Sequence, residues 1–74
     1  MINNNKKLRT VKNISINLYR FFGELSKSNE EIADELNLSV RTIYNYMNGA
    51  RIPNTEMLIK LADYLGKKVD DLLL

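Results

Sequence analysis

The stretch Glu30–Asn48, EEIADELNLSVRTIYNYMN, constrains this chain more than any other part of it. In its first half Ile32, Ala33 and Leu36 fall at i, i+1 and i+4, one face of a helix. In its second half Val40, Ile43, Tyr44 and Met47 recur at helical spacing. Between them stand Asn37, Leu38 and Ser39. Asn37 sits where the first helix must stop, and Asn tolerates the left-handed conformation that ends helices. Ser39 is a good N-cap, because its hydroxyl accepts from an orphan N–H one turn on. So short a turn predicts two helices that cross steeply.

Length and composition limit what can surround this unit. Seventy-four residues form one domain, near the lower end of what folds without staples. An apolar fraction of 45% is that of a globular chain. Cys and His are both absent, which excludes disulfides, Cys/His zinc sites and nucleophilic machinery built on either residue. The carboxylates of Glu30, Glu31, Asp34 and Glu35 read as a solvated helix face, so no enzyme, metal or cofactor is expected. No apolar run approaches the ~20 residues of a membrane span, and the lysines near the N-terminus lead into no apolar signal region. The lack of Cys suits the cytosol.

Charge is spread unevenly. Residues 1–29 carry six cations (Lys6, Lys7, Arg9, Lys12, Arg20, Lys27) against Glu24 alone, whereas residues 30–74 carry five cations against eight acids. Such asymmetry predicts a basic surface able to meet phosphate.

Before the central stretch, residues 1–7 are polar and without periodicity, and read as a flexible basic arm preceding a single domain at 8–74. Leu8, Val11, Ile14, Leu18, Phe21, Phe22 and Leu25 then recur every three to four residues, the stripe of a first helix. Asn13 is a plausible N-cap, although the stripe runs back to Leu8. Gly23 inside it costs roughly 1 kcal/mol against Ala, which a close neighbour would explain. Residues 26–29 break the helix, with Ser28 or Asn29 capping the next, and Glu30 and Glu31 suit its dipole. Beyond Asn48, Gly49 is a C-cap and Pro53 stops the helix. Asn54 caps a fourth helix with Met57, Leu58, Leu61, Ala62 and Leu65 inward, and Gly66 closes it. Val69, Leu72 and Leu73 support a short fifth helix. The expected fold is all-α, five short helices around one core.

Two helices at a tight turn form either a plain αα-hairpin or a helix-turn-helix, whose second helix fits the DNA major groove. Here the chain resembles the phage repressor/Cro-type (Xre-like) helix-turn-helix family. The resemblance is carried by Glu30-Glu31-Ile32-Ala33, Leu38-Ser39, Ile43, Tyr46, Gly49-x-x-x-Pro53, Leu58, Leu61-Ala62, Leu65-Gly66 and Asp70-Asp71-Leu72. It covers about residues 14–73, with the motif at about 29–48. It implies a compact lambda-repressor-like domain in which Ala33 permits close approach of the motif helices. It also implies a cytoplasmic, nucleoid-associated protein of bacterial, phage or plasmid origin.

The chain departs from the family at several positions. Asn29 stands where Gln is frequent, Asn37 where Gly is usual, and Ala50 where a cation often follows Gly49, leaving Arg51 as the nearest one. Many relatives bury an Arg–Glu ion pair where this chain has Phe22 and Met47. Removing one member of such a pair costs on the order of 3–5 kcal/mol, while replacing both with apolar residues is often neutral. Phe22 and Met47 are therefore expected to pack together.

The resemblance carries base readout onto Val40, Arg41, Thr42 and Asn45, with residues 40–48 in the major groove. Arg41 is the strongest candidate, since its fork pairs with guanine O6 and N7 for ~1–3 kcal/mol of discrimination. Phosphate contacts are assigned to Ser28, Asn29, Ser39, Tyr44, Asn48 and Arg51, and weaker arm contacts to Lys6, Lys7 and Arg9. The implied function is sequence-specific binding of double-stranded DNA by a transcriptional repressor. It would bind a near-palindromic operator as a homodimer, and Val69–Leu74 offers a dimer surface. No small-molecule effector is evident. The alternative is a protein-interaction module of the same fold (antitoxin, antirepressor or adaptor) with weak DNA binding.

Overall fold

The computed structural model describes residues 4–74, with side chains from Arg9 onward. Five helices follow one another: α1 Asn4–Gly23, α2 Asn29–Leu36, α3 Val40–Asn48, α4 Thr55–Leu65 and α5 Val69–Leu73. The described residues contain no strand. α1 packs against α3 and α5, α2 against α3, and α4 against α5. α1 spans 20 residues and is the longest helix, in a body of 42 × 22 × 21 Å. No described helix is long and apolar enough to cross a membrane.

The caps follow from local chemistry. The Ser28 hydroxyl accepts from the Glu31 N–H at 3.1 Å, and the Glu31 carboxylate accepts from the Ser28 N–H at 2.9 Å. This reciprocal capping box satisfies two donors that the first turn of α2 would otherwise orphan. Asn37 ends α2 at φ 58°, and its N–H reaches back to the carbonyls of Ala33 and Asp34. The Ser39 hydroxyl accepts from the Thr42 N–H at 3.1 Å and opens α3, and Asn54 caps α4 through Met57 at 2.9 Å. Gly49 and Gly66 close α3 and α4 at φ 81° and 68°. The Asp71 carboxylate accepts from the Lys68 N–H at 2.9 Å, tying down the start of α5.

The core draws on every helix. Leu18, Phe22, Ile32, Ile43, Leu61 and Leu72 are its largest fully buried side chains, and Ile14, Phe21, Ala33, Leu36, Tyr46 and Ala62 complete it. Burying one such aliphatic or aromatic side chain contributes about 1.5–3 kcal/mol. Asn17 is the buried polar member, and its amide donates to the Leu72 carbonyl at 2.9 Å. One turn earlier, the Asn13 amide donates to the Leu73 carbonyl at 3.3 Å. Both carbonyls lie in the last turn of α5, where a helix leaves acceptors without internal partners. No buried side-chain polar atom among the described residues lacks a hydrogen bond.

Four expectations are corrected here. α1 opens at Asn4, inside the stretch expected to be an arm, and Asn13 lies in mid-helix instead of capping it. An apolar stripe records which turns meet the core. It does not record where the i to i−4 bonds begin, so polar residues extended the helix upstream unseen. Residues 1–3 lie outside the described residues. Gly23 has no close neighbour, since a Cβ there would meet nothing within 4 Å. It is the last residue of α1, and neither space nor φ explains it. Ser26 follows in the left-handed region at φ 55° and turns the chain toward α2. At the C-terminus, Leu72 is fully buried, Leu73 packs against the core, and Leu74 is exposed. Of the three leucines in the expected dimer surface, Leu72 is closed off, Leu73 is half-buried and Leu74 is open.

Candidate nucleic-acid interface

α3 carries the four base-contact candidates, and its ends present different chemistry. At the N-terminal end the Arg41 side chain is exposed, and no ion pair among the described residues engages it. Val40 is half-buried and packs against the core, so its face is largely committed inward. Thr42 is half-buried, and its hydroxyl lies 2.9 Å from that of Ser39. The cap at Ser39 thus ties the second candidate reader to the first turn. Asn45, one turn beyond Arg41, is half-buried, and its carbonyl accepts from the Arg51 N–H at 3.1 Å. That bond folds the segment after Gly49 back against α3 and holds the exposed Arg51 beside it.

The C-terminal half of α3 borders a cleft of about 520 Å³. Tyr19, Phe22 and Gly23 of α1 form one wall, Lys27 and Asn29 another, and Tyr44, Met47 and Asn48 of α3 the third. Three residues assigned to phosphate from sequence, Asn29, Tyr44 and Asn48, therefore share one concavity. Tyr44 is exposed, and the Asn48 side-chain oxygen accepts from the Ala50 N–H at 2.8 Å, which leaves its NH2 end to face outward partners. Arg41 lies seven residues back from Asn48, ~10 Å along the helix axis, so the two ends of α3 address different points. Phe22 and Met47 border the same cleft, Phe22 buried and Met47 half-buried against the core. An apolar pair there lets the base of the cleft close without a buried charge.

Other candidates are differently placed. Ser28 is spent on its capping box. Arg9 is exposed on α1, and the side chains of Lys6 and Lys7 lie outside the described residues. Two cations of residues 1–29, Arg20 and Lys27, are engaged. Arg20 and Lys67 stand over the Phe21 ring at 4.8 and 4.7 Å from its centroid. Lys27 pairs with Glu35 through both carboxylate oxygens, at 2.8 and 2.9 Å. The Tyr64 hydroxyl donates to the same carboxylate at 2.6 Å. Lys27 and then Tyr64 hold the Glu35 carboxyl below its ordinary range, while burial and then the Glu35 hydrogen bond raise Tyr64 to about 12. Glu31 and Glu35 are thus occupied by capping and pairing. No group of three or more His, Cys, Asp or Glu among the described residues is placed to hold a metal.

Sequence reasoning missed Tyr19 and Lys27 as part of this face. The exposed Tyr19 lies one helical turn before Phe22, a signal that amphipathic spacing contains. Lys27 had no local signal, because its partner Glu35 lies eight residues on, in the last turns of α2.

The model of a helix-turn-helix family matches residues 18–72. The chain is 33% identical over 48 residues to the cryptic phage CTXphi transcriptional repressor RstR of Vibrio cholerae. That alignment covers 65% of this chain and 43% of the relative, so the chain spans less than half the length of that protein. No solved structure matches significantly.

Proposed function

The chain belongs to the phage repressor/Cro-type helix-turn-helix family, and on that footing we propose that it binds double-stranded DNA sequence-specifically as a transcriptional repressor. The carrying observation is α3 itself, capped at Ser39, with Arg41 exposed in its first turn and the Asn29–Tyr44–Asn48 cleft at its far end. In this reading residues 8–74 form the binding domain and residues 40–48 lie in the major groove. Arg41 pairs with a guanine edge, and Asn45 and the Thr42 methyl contribute beside it. Val40 contributes only its outer edge. Asn29, Tyr44, Asn48 and Arg51 hold phosphates, with Ser28 and Ser39 acting through the helix N-termini they cap. Lys6, Lys7 and Arg9 add salt-sensitive affinity.

One such helix reads only a few base pairs, so the operator is near-palindromic and bound by two copies whose recognition helices lie ~34 Å apart. Outside the cleft, Ile16, Ile52, Ile59 and Leu74 are the exposed large apolar side chains among the described residues, available to a second copy.

Selection of sites from a random duplex pool tests this reading. The wild type is expected to enrich a two-fold symmetric sequence. Arg41→Ala is expected to relax one position per half-site and to lose ~1–3 kcal/mol there. Recovery of no motif, with only salt-sensitive background, would overturn it in favour of a protein-interaction module.

A further inference from the structure

Lys27 borders the same cleft as Asn29, Tyr44 and Asn48, yet its ammonium is folded back onto Glu35. Among the described residues it is the only cation lining that cleft. We propose that Lys27 is a latched phosphate ligand. In the free protein Glu35 holds it, and on DNA it swings into the cleft to meet the backbone phosphate that Asn29, Tyr44 and Asn48 receive. This rests on the DNA-binding reading above and adds a residue to it.

The geometry supports each half of the exchange. The Lys27 and Glu35 side chains are 39% and 41% exposed, so the pair sits in water and opens readily. Lys is a flexible point charge with three donors, and turning from one anion to another requires no rearrangement of the fold. The latch is nevertheless organised. The Tyr64 hydroxyl, from α4, donates to Glu35 at 2.6 Å and fixes the carboxylate where Lys27 finds it. When the ammonium leaves, that hydrogen bond remains and continues to satisfy Glu35. The cleft gains a cation that cancels the phosphate charge, beside amide and phenol groups that are neutral donors. Because a phosphate is the partner, the contact strengthens binding to every sequence alike.

Equilibrium binding to the selected operator and to an unrelated duplex, over a range of salt, tests the exchange in the full chain. The variants are Lys27→Ala, Glu35→Gln and the double variant. Glu35→Gln retains an acceptor for Tyr64 while removing the charge that competes for Lys27. Lys27→Ala is expected to weaken both duplexes by the same factor and to lower the slope of log K against log salt by about 1. Glu35→Gln is expected to tighten both duplexes, and the gain is expected to vanish when Lys27 is also Ala. A gain that persists in the double variant would show only the removal of a distant negative charge, and would overturn the latch. So would an unchanged salt slope in Lys27→Ala, provided that Arg41→Ala still relaxes the operator. If the wild type binds neither duplex, the DNA-binding reading falls and the latch falls with it. Circular dichroism of each variant checks that the fold is retained.

Discussion

At the residue scale, the Lys27–Glu35–Tyr64 cluster shows how a surface network acquires a measurable signature. Tyr64 is raised to about 12, first by burial and then by the hydrogen bond it donates to Glu35. The folded protein therefore holds that proton more tightly than the unfolded chain, where the value is 10.0. The resulting stabilisation is complete below pH ~10 and is lost as pH rises toward ~12. Glu35 acts in the opposite sense. Its lowered value contributes above the unfolded carboxyl range and is lost as the solution is acidified through it. Ultraviolet titration of the tyrosines is expected to show a late component near pH 12, absent from Tyr64→Phe, and the same variant is expected to lose less stability between pH 10 and 12. A single unresolved tyrosine transition in both proteins would contradict the network.

At the element scale, the turn between α2 and α3 is set by Asn37. A non-glycine residue in the left-handed region is strained by roughly 1 kcal/mol, somewhat less for Asn, whose side chain bonds locally. Asn37 is exposed at φ 58°, and its backbone N–H is already bonded to the end of α2. Asn37→Gly is therefore expected to fall between neutral and ~1 kcal/mol more stable, whereas Asn37→Val is expected to cost ~1–2 kcal/mol, measured by urea unfolding. If Val were tolerated as well as Gly, the left-handed turn would be wrong, and with it the angle at which α3 is presented. The caps at Ser28, Ser39 and Asn54 were readable in the sequence for a related reason, since each donor–acceptor pair lies within three residues. The start of α1 was not readable from its apolar stripe, which begins four residues later.

At the scale of the whole molecule, α5 is what makes five helices one body. It packs on α1 and α4, with Leu72 fully buried and its carbonyls held by Asn13 and Asn17 from α1. Leu72→Ala is expected to cost ~2–5 kcal/mol. A domain of this size has a total stability of roughly 4–11 kcal/mol, so that loss should lower the thermal midpoint by many degrees and weaken DNA binding in proportion to the unfolded fraction. A shift of only a degree or two would mean that α5 frays from a core that stands without it.

The sequence by itself determined the local grammar. Five helices, the caps of α2, α3 and α4, the left-handed residues at Asn37, Gly49 and Gly66, and the inward faces of α2, α3 and α4 all depend on neighbours a few positions apart, and the local sequence records them. It also carried the family, because the order and spacing of those signals are themselves a pattern. Only the tertiary structure decided which exposed groups meet. The Asn17 amide and the Leu72 carbonyl are 55 residues apart, and Tyr64 and Glu35 are 29 apart. No local rule links such pairs, since their proximity is created by how α4 and α5 return against α1 and α2. The packing of α3 against α1 and α2 joins Tyr19 and Lys27 to Asn29, Tyr44 and Asn48 around one cleft. The return of α5 buries Leu72, packs Leu73 against the core and leaves Leu74 outside.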